Sequence, residues 1–157
     1  MDDVTIARAL HVLAIVHWIG GLTMVTAVIL PAIRRYPDRT RRAALFEAIE
    51  GGFAWQARIS VTVAGLSGFY MTYRLDAWDR FSDPGYWWMD AMVLLWAFFT
   101  IMLFIAEPFF LHARFSRHAA RDPDRALAAV QRAHYVLLIL SAITVGAAVL
   151  GAHGLLY

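Results

Sequence analysis

Long apolar runs alternate with short polar ones along this chain, and the runs have the length of membrane helices rather than of core helices. A helix needs roughly 20 apolar residues to cross the hydrocarbon core. Ala9 to Ile33 and Ala133 to Tyr157 each run without a charge. Two further runs carry charges: Phe53 to Tyr73 contains Arg58, and Tyr86 to His112 contains Asp90 and Glu107. The uncharged stretches Ile59–Tyr73 and Ala91–Ala106, flanked by Trp and Tyr of the interfacial kind, still predict two more spans. The pattern therefore predicts an all-α integral membrane four-helix bundle, one domain over 1–157, with spans at about 9–33, 53–74, 86–112 and 133–156. Pro31, Pro37, Pro84 and Pro123 punctuate span ends and loops, whereas Pro108 lies inside the third span and should kink it. There is no internal repeat and no low-complexity segment.

Composition agrees: 61% of residues are hydrophobic and the mean hydropathy is +0.56, too apolar for an ordinary soluble domain. The absence of cysteine excludes disulfides, thiolate metal sites, iron–sulfur clusters and covalently attached haem. The basic pI of 9.3 comes from arginines gathered in two segments, Arg34–Glu50 and Arg114–Arg132, which points to topology and not to nucleic acid. By the positive-inside rule both face the cytoplasm, so both termini and the 74–85 connection are expected on the periplasmic side of a bacterial inner membrane. The first span begins Met1-Asp2-Asp3, without the basic flank or cleavage site of a signal peptide, and is expected to stay in the mature protein.

At about 1.5 Å of rise per residue the polar and sulfur-bearing side chains sort by depth. His11, Met71, Met89, Met92 and His153 fall at one outer level, one or more from each span. His17 lies about 9 Å deeper than His11. His112 and His134 mark the cytoplasmic ends of spans three and four, and His118 lies in the loop. A buried imidazole must pair its nitrogens or bind a metal, because an unsatisfied polar group in hydrocarbon costs several kcal/mol. Taken singly, each of these histidines reads first as a hydrogen-bonded structural residue, His112, His134 and His118 most of all; the shared depth of His11 and His153 makes that pair the candidate metal or haem ligands. Arg8 and Arg74 at the outer ends could hold haem propionates, and Asp90 could orient a histidine or relay protons. Arg58 and Glu107 share an inner depth, which predicts a structural ion pair. Gly20, Gly21, Gly65, Gly68, Gly146 and Gly151 leave room for a flat macrocycle or for close helix crossings.

The segment Leu10-His11-Val12-Leu13-Ala14-Ile15-Val16-His17-Trp18-Ile19-Gly20-Gly21-Leu22 resembles the opening helix of the CopD/HemJ-like group of small four-helix membrane proteins. That group includes the copper-resistance protein D domain and the HemJ-type protoporphyrinogen oxidase. Trp88-Met89-Asp90-Ala91-Met92-Val93-Leu94 is similar to the start of its third helix. The resemblance implies a b-type haem at the outer level, with His11 matching the family's first-helix histidine. The chain departs from the HemJ-type pattern in having Met92 where that enzyme has a lysine, and in having no lysine at all. The departure argues against protoporphyrinogen oxidation but leaves haem binding, since methionine is itself a haem ligand and His153 offers bis-histidine ligation.

Three functions follow as expectations. The first is a haem b protein, ligated by His11 with His153, Met92 or His17, for electron transfer or for oxidation of a membrane-borne quinol or porphyrinogen. A second haem could sit on His112 and His134. The second function is copper handling by the soft set His11, Met71, Met89, Met92 and His153, with His17 and Met24 as a deeper step. The third is a non-catalytic subunit packed against a partner membrane subunit or a second copy. No catalytic residue is assigned.

Overall fold

The computed structural model describes residues 2–156, the side chain of His112 excepted, and among the described residues every regular element is helical. Helix α1 runs Asp2–Arg35, α2 Arg42–Arg74, α3 Pro84–Leu111 with a continuation His112–Ala119, and α4 Pro123–Ala152. Three of these, α1, α3 and α4, are long and apolar enough to cross a membrane. Helix α2 has the length, 33 residues, but Arg42, Glu47, Glu50, Arg58 and Arg74 dilute its apolar content.

The helices exceed the predicted spans at their arginine-rich ends. Helix α2 begins at Arg42 rather than near 53, after a short turn in which the Asp38 side chain accepts the Thr40 N–H (3.0 Å). Helix α4 begins at Pro123, where Asp122 caps the Arg125 N–H (3.1 Å) and the proline ring presets the first helical φ. Charged residues read from the sequence as loop are therefore exposed helical turns, since arginine is a good helix former once a cap starts the helix. At the other end α4 stops at Ala152, short of the predicted 156. Gly154 takes φ 74°, and the Gly154 and Leu155 N–H groups return to the Gly151 and Leu150 carbonyls (3.0 Å each).

The Thr40 hydroxyl and backbone N–H hold the Asp38 carboxyl below its ordinary pKa. The carboxylate's contribution to the turn is thus complete above the ordinary value and lost only as pH falls through the lowered one. The Thr40 amide resonance, followed by NMR against pH, should move at a lower pH than a free aspartate titrates.

Asp124 at the start of α4 takes both Arg39 and Arg42, and Arg34 bonds Gln131, so the two arginine-rich connections meet at one end of the molecule. At the opposite end Asp3 accepts Arg74 Nε (2.6 Å) and the Tyr70 hydroxyl (3.0 Å), and Gly151 of α4 lies against Trp88 of α3. Both ends of the chain therefore share the end that holds the 75–83 connection. Along the bundle, aromatic rings fill glycine notches: Phe53 over Gly21, Trp96 over Gly65 and Trp88 over Gly151. Outward faces are apolar, as at Leu13 (66% exposed), Leu94 (70%) and Leu66 of α2 (69%), which suits a surface solvated by lipid.

Trp96 is pinned as well as wedged, because its indole N–H donates to the Val61 carbonyl one turn before Gly65 (2.9 Å). A methyl at residue 65 would collide with the indole, and the ring cannot slide without giving up that bond. Helix propensity alone makes Gly65→Ala stabilising by about 1 kcal/mol. Overpacking by about 1–3 kcal/mol and the lost bond of about 1 kcal/mol outweigh it. Unfolding of Gly65→Ala in mixed micelles should show a net loss of about 1–3 kcal/mol.

Candidate functional site

Helix α1 turns one stripe inward, with Ala7, Ala14, Trp18 and Leu22 buried and His11 half-buried among them. His11 does not reach α4. Its Nδ1 meets the Ala64 carbonyl of α2 at 2.8 Å and Ser67 Oγ at 3.2 Å, and its Cε1 would lie 3.2 Å from a Cβ placed on Gly68. Gly68 thus gives the imidazole its place. Two turns deeper, His17 Nδ1 meets Ser60 Oγ at 2.8 Å, although the His17 ring is exposed.

These contacts settle the tautomers. A carbonyl oxygen carries no proton, so His11 Nδ1 donates to Ala64 and leaves Nε2 as the nitrogen with the lone pair. Ser60 Oγ donates to the Gln56 carbonyl (3.1 Å), so His17 Nδ1 is again the donor. His134, His118 and His153 each bond the carbonyl four residues back in their own helix, Val130 (3.0 Å), Arg114 (2.8 Å) and Val149 (2.8 Å). In all five rings Nδ1 is thus the nitrogen held by an oxygen acceptor, and Nε2 is the one that could ligate a metal. His112 belongs to this group by sequence, but its side chain lies outside the described residues.

The predicted partners of His11 separate. His153 sits just past the last turn of α4, exposed and folded back on its own helix. Met92 does better. The Trp18 and Phe99 rings meet edge to face at 4.7 Å, a contact that reaches from α1 to α3, and the two helices run in the same direction. His11 and Met92 each lie seven residues before that contact, about 10 Å along the axis and two turns round to the same face. Met92 is half-buried against Trp88, Met89 and Ala147. Met71 and Asp90 are half-buried, Met24 is 53% exposed, Arg8 is exposed, and Arg74 is paired with Asp3. Among the described residues no three His, Asp or Glu side chains converge as a metal site.

No protein-family model, curated protein or solved structure matches the chain. The site therefore rests on the residues themselves.

A second feature lies toward the arginine-rich end, where the sequence offered His112 and His134 as a second haem site. Helix α1 widens to i→i+5 winding over Val25–Ile29, with the Leu30 N–H on the Val25 carbonyl, and α3 does the same over Met102–Leu111. Both wide segments line one cavity of about 130 Å³, together with Phe46, Phe53 and His134. Wide turns of this kind cost hydrogen-bond quality and cluster at functional sites. The Arg58–Glu107 pair expected from their depth is formed there. Arg58 also serves the backbone, since its Nε donates to the Leu103 carbonyl (2.9 Å), whose donor in an i→i+5 ladder would be the N–H that Pro108 lacks. The signal was legible as Glu107-Pro108 inside an apolar span. What hid the cavity is that its walls come from four separate stretches of chain.

Proposed function

We propose that this chain is a four-span protein of a bacterial inner membrane, with its termini on the periplasmic side, that binds one b-type haem through His11 with Met92 as the second ligand. The observation that carries the reading is the His11 imidazole at membrane depth, locked by Ala64 and Ser67 of α2 so that Nε2 is the lone-pair nitrogen. The residues present fit one axial position well and a second by level: Met92 shares the depth of His11, whereas His153 is turned onto its own helix. The likeness of the first and third helices to the CopD/HemJ-like group points the same way.

Counting α2 as a span is supported by the inward turn of Arg58. With that charge paired to Glu107, the outward face of α2 reads Trp55, Ile59 and Leu66, all exposed and apolar. The arginine-rich end then faces the cytoplasm.

A haem held there supplies one-electron transfer, and the chain's own groups do the rest. Ala64 and Ser67 fix the ring and its tautomer, Gly68 leaves it space, and Arg8 and Arg74 stand at the outer rim for propionates. The reading leaves electron transfer or oxidation of a membrane-borne substrate as its activity. Copper handling is less well served, since the inward step would use His17, bonded to Ser60, and Met24, on the outer surface of α1.

The optical spectrum tests the proposal. Protein purified in detergent after expression with haem supplied should show the ferric and ferrous bands of a b-type haem at about one haem per chain. Colourless protein, or copper in place of iron by elemental analysis, would overturn it.

A further inference from the structure

The inner cavity is a site of its own, separate from the outer histidine. It lies on the arginine-rich side of the Trp18–Phe99 contact, and its lining residues Ile49 and Leu111 are also 39% and 38% exposed. Its mouth therefore opens sideways between α2 and α3, on a surface where Phe109 and Phe110 are exposed, which is the acyl-chain surface under the membrane reading.

Size limits the occupant. A cavity of about 150 Å³ lined by apolar side chains is known to accept benzene. At about 130 Å³ this one takes a single six-membered ring and excludes a porphyrin. Ring faces are supplied by Phe46, Phe53 and Phe99.

Polarity limits it further. Among the described residues, the polar side chains in the wall besides the Trp18 indole are Glu50, which already has a partner, Glu107 and His134. The Glu107 carboxylate gives Oε2 to Arg58 and keeps Oε1 as an acceptor. The His134 ring donates through Nδ1 to Val130, so its Nε2 can only accept. Arg58, which donates through Nε to Leu103 and through Nη2 to Glu107, is not among the residues that line the cavity. An apolar slot for one ring, walled by acceptors and open to the acyl chains, matches a ring that carries hydroxyl donors.

We propose that this cavity binds the headgroup of a membrane-borne hydroquinone, and that it selects the hydroquinone over the corresponding quinone. A hydroquinone donates two O–H groups to Glu107 and His134, while a quinone brings two carbonyls to a wall whose described side chains offer one indole N–H. Each unmatched acceptor pair is a lost hydrogen bond, and bonds to charged groups carry most of the difference. The site depends on the membrane reading for access but not on haem.

The test is equilibrium dialysis under anaerobic conditions, on full-length protein in lipid nanodiscs prepared without haem, with methylhydroquinone and methylbenzoquinone as probes. The chain has no cysteine or lysine side chain for the quinone to alkylate. Saturable binding of one methylhydroquinone is expected, with the quinone about tenfold weaker. Ala57→Phe, which fills the cavity from α2, should abolish the binding, and Leu137→Phe fills it from α4 should the first variant not fold. Absence of saturable methylhydroquinone binding, equal binding of the quinone, or binding that survives a folded filling variant would each overturn the proposal. A colourless protein that still binds methylhydroquinone would remove the haem reading and leave this one standing.

Discussion

Glu107→Leu is expected to destabilise the protein by about 3–5 kcal/mol, because it strands a guanidinium away from water. Arginine stays protonated at any workable pH, so Arg58 cannot escape by losing its charge. The reverse change is milder. In Arg58→Leu the orphaned Glu107 can take up a proton and become neutral, and the residual cost is about 1–3 kcal/mol for the Leu103 carbonyl left without a donor. The double replacement Arg58→Leu with Glu107→Leu should recover most of the loss, as apolar substitutes for buried ion pairs do. Adding Pro108→Ala to Arg58→Leu should also recover stability, because it restores the N–H that Arg58 replaces. Denaturation in mixed micelles reads all four variants. Equal losses for the two single replacements would mean that water reaches the pair and that the inner cavity is not a dry pocket.

His11→Asn is expected to remove the haem bands while leaving the helices packed. The asparagine amide N–H lies near the position of imidazole Nδ1 and keeps a donor for Ala64, but nothing replaces Nε2. His11→Ala loses both, and with them about 1 kcal/mol for the hydrogen bond. Comparing the two separates a ligand from a structural residue. Imidazole added to His11→Gly should restore the bands. Met92→Leu should shift the spectrum to that of a one-ligand haem, whereas His153→Ala should change little, since His153 is exposed and committed to Val149. A His153 variant that loses its bands while Met92→Leu keeps them would reverse the assignment of the second ligand.

Much of this was legible from depth along the chain. Rise per residue put Arg58 level with Glu107, and the two are paired. Depth also put His11, Met92 and His153 on one level. It could not say which of them face each other, because that depends on rotation about each helix axis and on which helices are neighbours. His11 meets α2, a partner that depth alone did not select, and it does so because Gly68 leaves the ring a place. The glycines suggested a slot for a macrocycle; at Gly21, Gly65 and Gly151 the slot is filled by Phe53, Trp96 and Trp88. A glycine announces room but not what enters it.

By itself, the sequence determined that the chain is helical, that most of its length suits lipid, and that no thiolate takes part in any metal chemistry. These follow from local properties: apolar run length, charge placement and the absence of cysteine and lysine. Only the tertiary structure decided the rest. It turned Arg58 inward to Glu107 and to the carbonyl that Pro108 leaves bare, set His11 and His17 against α2 through Nδ1, and opened a one-ring cavity between two widened helices. Each of these joins residues tens of positions apart, and such pairings are set by helix rotation and ring packing, which no local pattern encodes.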